Sequence, residues 1–263
     1  MCYNVKALLE SQLKRARRNG MNQDADALQQ ELFSMGKGNY TQVSGFTYPE
    51  LIIYNNSDNR PIRSVWGLVP QSVKDNDPAV FRKHFNTLNA RGESIFTSPA
   101  FRDSAESKHC LVYVDGFYDH HHYAGGKYPF FIHLKENEPF ALAGLWAEWI
   151  NPLSKVKLIS FTIVTASANS LMMSIHNNPD REGPRMPVIL DDVMADEWLK
   201  PNLTPKGMKE FLIPFPEDQM AAYTVKPLSG KNVIKNDPNA SEEYHYEDLK
   251  IPWLFTRQRR FLL

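Results

Sequence analysis

The stretch C-L-V-Y-V-D-G-F-Y, at residues 110–118, decides the fold because it consists largely of β-branched and aromatic residues, which favour strands. Runs of the same texture, separated by Pro and Gly, lie on both sides of it, at residues 51–54, 64–69, 128–134, 140–149 and 158–165. Many short strands divided by turn residues are typical of a sheet that curls toward a barrel. We therefore expect a many-stranded, partly closed antiparallel β-sheet or barrel.

Helical patterns frame this strand-rich region. Apolar residues recur at helical spacing over residues 5–18 and again over residues 24–35, which predicts an N-terminal helical pair. Further helices are predicted at residues 78–86, 168–175, 192–199 and 204–211. Because no linker or internal repeat divides the chain, we expect a single α+β domain over residues 1–263, with helices flanking the sheet.

Composition narrows the class of protein. The chain has 263 residues, and its 30 Lys and Arg balance its 30 Asp and Glu, which argues against nucleic-acid binding through bulk charge but allows a local basic groove. Its two cysteines, Cys2 and Cys110, cannot form a disulfide framework, so a reducing compartment is expected. The N-terminal pattern predicts no secretion signal, because charged residues interrupt its apolar stretch, and no apolar run approaches the ~20 residues of a membrane span. We expect a cytoplasmic protein with no membrane partner.

Cys2 is the residue with the most distinctive chemistry. If Met1 is removed, Cys2 carries a free α-amine and a thiol on adjacent carbons. This pair can condense with an aldehyde, first to an imine and then to a five-membered thiazolidine. The α-amine, with a reference pKa near ~8 against ~10.4 for lysine, is the better nucleophile at neutral pH. By position alone, however, a cysteine after the start Met can also be chance.

Several motifs place polar residues inside strand-like sequence. They are W-G-L-V-P at 66–70, N-A-R-G-E at 89–93, P-A-F-R at 99–102, the stretch at 110–118, A-G-L-W at 143–146 and R-M-P-V-I-L at 185–190. Together with a Cys directly after the start Met, this ordered set resembles the SRAP family, the SOS-response-associated peptidase proteins that sense abasic sites.

The resemblance implies a function. Its implied activity is covalent capture of abasic sites in single-stranded DNA, through a thiazolidine between Cys2 and the ring-opened deoxyribose aldehyde. It also implies removal of Met1, with self-processing as one route, and it allows an abasic-site lyase activity. The implied partner is single-stranded DNA with an abasic site, and no protein partner follows from the sequence.

The resemblance also assigns catalytic candidates, each with a plainer alternative. They are Cys2, Asn89, Asp119 and His176. The Asn89 amide could hold the Cys2 amine or polarise a substrate oxygen, or it could cap a turn. Asp119 stands where the family usually has Glu and could act as general acid and base, or it could simply end a strand. His176 would assist ring opening and later release, although a lone His is more often structural.

The candidate DNA-binding residues are Trp66, Arg91, Thr165 and Arg185. Trp66 could stack on a base or wedge against a duplex edge, or it could belong to the core. Arg91 could bind a phosphate in bidentate fashion, or it could pair with Glu93. Arg185 matches a second phosphate-binding arginine of the family, and Thr165 could donate to a phosphate.

The sequence departs from the family pattern at several positions. Tyr3 and Asn4 stand where members commonly have Gly-Arg, His120 replaces a common Trp, and the loop over residues 177–184 is longer than usual. The run of histidines at 120–122 suggests a metal, but consecutive strand residues alternate between faces and cannot converge on one ion. We therefore expect no metal and no cofactor.

Two other classes of function remain open. The first is an N-terminal-nucleophile cysteine amidohydrolase or peptidase that uses Cys2 and never acts on DNA. The second is a non-catalytic single-strand-binding protein in which Trp66 and the arginines form a groove. The zero net charge makes the second the weakest hypothesis.

Overall fold

The computed structural model describes residues 3–34, 40–57, 60–75, 77–180, 182–200, 203–230 and 236–251. The strands are β1 Asn4–Ala7, β2 Tyr40–Ser44, β3 Glu50–Asn55, β4 Pro61–Trp66, β5 Asn89–Arg91, β6 His109–Val114, β7 Gly116–Tyr123, β8 Gly126–Leu134, β9 Phe140–Ile150, β10 Lys157–Ser167, β11 Arg185–Pro187, β12 Ile189–Leu190 and β13 Met220–Thr224. The helices are α1 Leu9–Arg18, α2 Asn22–Ser34, α3 Pro78–His84, α4 Arg102–Ala105, α5 Ser170–Ile175, α6 Asp192–Trp198 and α7 Pro205–Phe211.

A closed barrel forms the centre of the molecule. Strands β10, β4, β3, β6 and β9 pair in that order, and β9 pairs again with β10 to close the ring. Strand β10 runs parallel to β4 and to β5, while the other strand pairs in the described ranges are antiparallel. A second sheet has the order β13-β8-β7-β1-β2. The predicted α+β class with a closing, mainly antiparallel sheet is confirmed.

The barrel strands are buried on both faces. Along β9, Leu142 belongs to one hydrophobic core, whereas Ala141 and Ala143 belong to another. The first core joins the barrel to the second sheet and to α5, and the second lies under α1, α2, α6 and α7. Because neighbouring strand residues point to opposite faces, this two-sided burial explains the nearly continuous apolar runs in the sequence.

The chain passes from the barrel to the second sheet at Asp115, between β6 and β7. The Asp115 carboxylate accepts the backbone N–H of Leu8 at 2.7 Å, and its own N–H donates to the Lys6 carbonyl at 2.7 Å. Gly116 follows, where a Cβ atom would lie 2.4 Å from the Phe131 ring. A side chain cannot fit at this position, so the crossing depends on glycine.

The N-terminal helical pair is confirmed with one correction. Residues 5–7 were predicted to begin the first helix, but they belong to strand β1, which pairs with β7 and β2. The helix begins at Leu9, because the preceding backbone groups are used in strand pairing. Position 35, the predicted end of the second helix, lies outside the described residues.

The later helices begin at side-chain caps that the sequence displays. Asp77, Asn169, Asp191 and Thr204 each accept a backbone N–H in the first turn of α3, α5, α6 and α7. Such caps satisfy donors that a helix start otherwise leaves unpaired. The four-residue α4 was not predicted. No helix in the described ranges combines the length and apolarity needed to cross a bilayer.

Candidate functional site

A cavity of about 580 Å³ lies where the second sheet meets strands of the barrel sheet. The second sheet lines the cavity with residues on or beside three strands. They are Tyr3 and Asn4 at the start of β1, Tyr118, Asp119, His120 and His122 on β7, and Lys127 on β8. Arg91 of β5 and Arg185 of β11 line it as well, together with His176 and residues of the following loop. The fold therefore brings Asp119, His176, Arg91 and Arg185 to one place, although they are distant in sequence.

Asp119 and His176 form a buried pair in this cavity. One carboxyl oxygen, Oδ2, lies 2.8 Å from His176 Nδ1, and the other, Oδ1, accepts the backbone N–H of His120 at 2.8 Å. Burial raises the pKa of Asp119, and the His120 N–H opposes that shift. A carboxyl group with a raised pKa beside an imidazole is suited to donating and accepting protons.

Arg185 is held from several sides. Its Nη2 donates to Glu93 Oε2 and to the Thr165 carbonyl, both at 2.7 Å, and its Nε donates to the Thr165 hydroxyl at 3.2 Å. Burial alone would raise the pKa of Glu93, but the hydrogen bond and charge of Arg185 outweigh it and the pKa is lowered. The arginine is thus rigidly oriented, which favours recognition of an anion.

Arg91 is the more accessible of these two arginines. Its Nη1 lies 2.8 Å from Glu182 Oε2 in the loop after α5. The ion pair with Glu93 that we considered for Arg91 is therefore wrong, because Glu93 pairs with Arg185 instead. The longer loop supplies a carboxylate to this cavity.

Trp66 and Thr165 do not present themselves to a ligand. Trp66 is 0% exposed, its Nε1 donates to the Leu88 carbonyl at 2.8 Å, and its ring stacks on Phe161. The base-stacking prediction for Trp66 is corrected to a core role, since no face of the ring is open. The buried Thr165 hydroxyl donates to the Ala90 carbonyl at 3.2 Å and accepts from Arg185, so it orients the arginine rather than contacting a phosphate.

Of the other two catalytic candidates, the structure describes Asn89 but not Cys2. Asn89 is buried on β5, two residues before Arg91, and strand alternation points both side chains to the same face. Cys2 lies outside the described residues. Its peptide-bonded neighbour, Tyr3, lines the cavity with Asp119 and His176.

The histidine run follows strand alternation. His120 and His122 line the cavity, whereas His121 Nδ1 lies 2.7 Å from the Ser174 carbonyl oxygen. Burial, followed by the charges of His122 and Lys127, lowers the pKa of His120 to about 4. Within the described residues, no group of three or more His, Cys, Asp or Glu is placed to hold a metal ion.

Sequence reasoning missed other residues of the cavity. Phe46 and Lys127 line it, and the Phe46 ring packs against Tyr3. Phe46 is exposed, a property that its apolar side chain would not suggest. One sequence signal could have pointed to this part of the cavity, namely the position of Tyr3 next to Cys2.

Comparison with known proteins identifies the family of this chain. The model of the SOS response associated peptidase (SRAP) family matches residues 4–232, so the chain belongs to that family, as its motifs predicted. Two proteins of Bacillus subtilis are similar: abasic site processing protein YobE, 37% identical over 67% of this chain and 76% of its own length, and abasic site processing protein YoqW, 36% identical over 73% and 81%.

The fold is also found in solved structures. A crystal structure of a Bacteroides thetaiotaomicron protein is 29% identical, with a TM-score of 0.77, and the match covers 93% of this chain and all of that one. A Bordetella bronchiseptica protein, 21% identical with a TM-score of 0.67, shares the fold over 86% of this chain.

Proposed function

We propose that this protein processes abasic sites in single-stranded DNA by forming a covalent thiazolidine between Cys2 and the sugar aldehyde, after Met1 is removed. The observation that carries the proposal is the buried Asp119–His176 pair, in a cavity lined by Tyr3, the residue bonded to Cys2. The similar Bacillus subtilis proteins are named abasic site processing proteins, which supports the same substrate class.

The chemistry begins with opening of the sugar. An abasic deoxyribose is mainly a closed hemiacetal. A proton delivered to its ring oxygen breaks the bond between C1′ and that oxygen, and loss of the C1′ hydroxyl proton to a base leaves the aldehyde. Asp119 is the donor in this proposal, because burial raises its pKa and keeps the acid form to higher pH. His176, 2.8 Å from Asp119, exchanges the proton with it.

Capture follows in two steps that balance. The Cys2 amine adds to the aldehyde carbon and water leaves, which gives an imine. The thiol sulfur then adds to the imine carbon, and its proton goes to the nitrogen, which closes the thiazolidine. The net product is protein without Met1, plus DNA, minus one water. β-Elimination from the imine before closure would give the abasic-site lyase activity that the family resemblance allows.

The arginines are assigned to the phosphates on either side of the abasic sugar. A guanidinium has five N–H donors in a planar fork, which suits phosphate oxygens. Arg185 is buried and fixed by Glu93 and Thr165, so it acts as a rigid anchor. Arg91 is more exposed and can exchange Glu182 for a phosphate. Asn89 supports the nucleophile from the same strand face as Arg91.

Intact mass spectrometry tests the proposal. Purified protein is mixed with a single-stranded oligonucleotide carrying one abasic site, beside an undamaged oligonucleotide. We expect an adduct of protein without Met1, plus DNA, minus water. The adduct should disappear in Cys2→Ala and persist in Cys110→Ala, which makes the same change at the buried cysteine.

A second candidate rests on the same residues. The family description names a peptidase, so a cysteine amidohydrolase that attacks an amide remains the alternative. If Met1 is absent and no adduct forms with abasic DNA, capture is excluded and the amidohydrolase takes its place. Turnover of small amide substrates that depends on Cys2 would then be the supporting result.

A further inference from the structure

An aromatic pair lies at the edge of the proposed DNA site. The rings of Tyr3 and Phe46 have centroids 4.7 Å apart and planes inclined by 33°. Both residues line the cavity that holds Asp119 and His176. Phe46 is 59% exposed, a large apolar area to leave in water at the edge of a charged cavity.

The local backbone fixes this pair in place. The N–H of Gly45 donates to the Tyr3 carbonyl at 2.8 Å, which ties the short turn that carries Phe46 to the start of β1. Asn86 Nδ2 donates to the Tyr3 hydroxyl at 3.3 Å and steadies its ring from another side. Phe46 is therefore exposed on a tethered turn.

The surroundings indicate what the exposed ring would contact. Arg91, Lys127 and Arg185 line the same cavity, together with the carboxyl groups of Asp119, Asp180 and Glu182. Aromatic faces beside basic side chains are the combination with which proteins bind single strands, because bases stack on the rings while cations contact phosphates. Trp66, for which the sequence left stacking or a core position open, is enclosed in the core.

We propose that Phe46, backed by Tyr3, is the stacking platform for an unpaired base next to the abasic nucleotide. This inference rests on the proposed function, since it requires single-stranded DNA in the cavity. The platform holds the strand so that the damaged sugar lies beside Asp119 and the Cys2 end of the chain. It would make affinity depend on the neighbouring base, although that base takes no part in the chemistry.

Equilibrium binding separates this contact from the covalent step. The probe is a single strand with one tetrahydrofuran residue, an abasic analogue without an aldehyde, measured by fluorescence anisotropy. Stacking is worth ~1–3 kcal/mol per base, so Phe46→Ala should weaken binding about 5- to 150-fold, and Phe46→Trp should retain it. The matched control is Phe33→Ala, which removes a ring that is 89% exposed on α2 and does not line the cavity.

A second probe identifies the contact as a base. It carries tetrahydrofuran residues at the flanking positions as well, so that no neighbouring base remains. On this strand, wild type and Phe46→Ala should bind equally. If the loss in Phe46→Ala is the same with and without flanking bases, or if there is no loss at all, the stacking platform is wrong.

A separate measurement keeps the two proposals apart. Wild-type protein is tested for the covalent adduct on an aldehyde-bearing abasic strand. An adduct in wild type, combined with unchanged binding by Phe46→Ala, overturns the platform and leaves the proposed function standing. Absence of the adduct overturns the proposed function, whereas the platform is decided by the binding of the two tetrahydrofuran probes. Unchanged thermal unfolding of Phe46→Ala establishes that its binding loss is not a folding defect.

Discussion

Asp119 has one carboxyl oxygen committed to the His120 N–H and the other to His176, so its orientation is fixed before any substrate arrives. The SRAP resemblance implies a longer Glu at this position. Asp119 is one methylene shorter, and its neighbours fix the carboxyl group from both sides.

We expect Asp119→Asn to slow adduct formation by about 10²–10⁴-fold, the usual contribution of a general acid. Asp119→Glu should retain most of the rate. Because burial raises the Asp119 pKa, the acid form persists above the ordinary range of an aspartate, and the wild-type rate should fall as pH rises through that raised pKa.

Single-turnover adduct formation, measured over a pH series, checks this expectation. The falling limb should be absent in Asp119→Asn, whose amide does not titrate in this range. Equal rates for Asp119→Asn and wild type at every pH would remove Asp119 from proton transfer. Circular dichroism of both variants controls for folding.

The residues that form the candidate site were easier to predict from the sequence than their burial and their contacts. The motifs placed Asp119, His176, Arg91 and Arg185 in one candidate site, and the fold brings them to one cavity. The sequence could not tell that Trp66 is enclosed, because burial depends on which strands lie over it. Nor could it pair Arg185 with Glu93, since that contact joins residues far apart in the chain.

At the scale of single elements, local signals predicted well and long-range ones did not. Helices α3, α5, α6 and α7 start at capping residues visible in the sequence. Residues 110–118 read as one strand, yet Asp115 divides them between the barrel and the second sheet. The β-branched and aromatic composition of a segment indicates a buried strand. Which sheet the strand joins depends on partners elsewhere in the chain.

The crossing between β6 and β7 gives a test at this scale. A Cβ at position 116 would lie 2.4 Å from the Phe131 ring and 2.6 Å from the Ile132 carbonyl oxygen. Because a backbone atom cannot move aside cheaply, Gly116→Ala should lower the free energy of unfolding by about 1–3 kcal/mol or more. Denaturant unfolding followed by tryptophan fluorescence measures the change.

Gly207→Ala, in helix α7, is the matched control. A Cβ there would meet neighbours at an ordinary 3.5 Å, and alanine favours helices, so this variant should be more stable by about 0.5–1 kcal/mol. If both variants lose or gain stability equally, the crossing does not depend on the missing side chain.

At the scale of the whole molecule, the closed barrel controls the chemical reactivity of the Cys110 thiol. Cys110, on β6, is fully buried, and burial raises its pKa well above the ordinary thiol range. A Cβ at Gly144, on the neighbouring strand, would lie 2.8 Å from the Cys110 Sγ, so packing around the sulfur leaves no room for a reagent. The thiol can react only when the ring opens.

We therefore expect iodoacetamide to leave Cys110 unmodified in the folded protein and to label it at a rate that follows global unfolding. Peptide mapping after timed exposure, in increasing denaturant, measures this rate. Labelling of Cys110 in the absence of denaturant, at the rate of a free thiol, would contradict a closed ring. Cys2→Ala provides a background in which Cys110 is the one cysteine in the sequence.

Strand β1 has a consequence for how the protein is made. Asn4 pairs with Tyr118 and Val5 with Phe117, so the first strand to leave the ribosome finds its β7 partner only after much of the chain has been translated. At the usual speed of bacterial or eukaryotic synthesis, that wait is on the order of ten seconds. The proposed capture by Cys2 requires removal of Met1, and this interval would leave time for that step before β7 joins β1. We therefore expect processing of the N-terminus to precede assembly of the cavity.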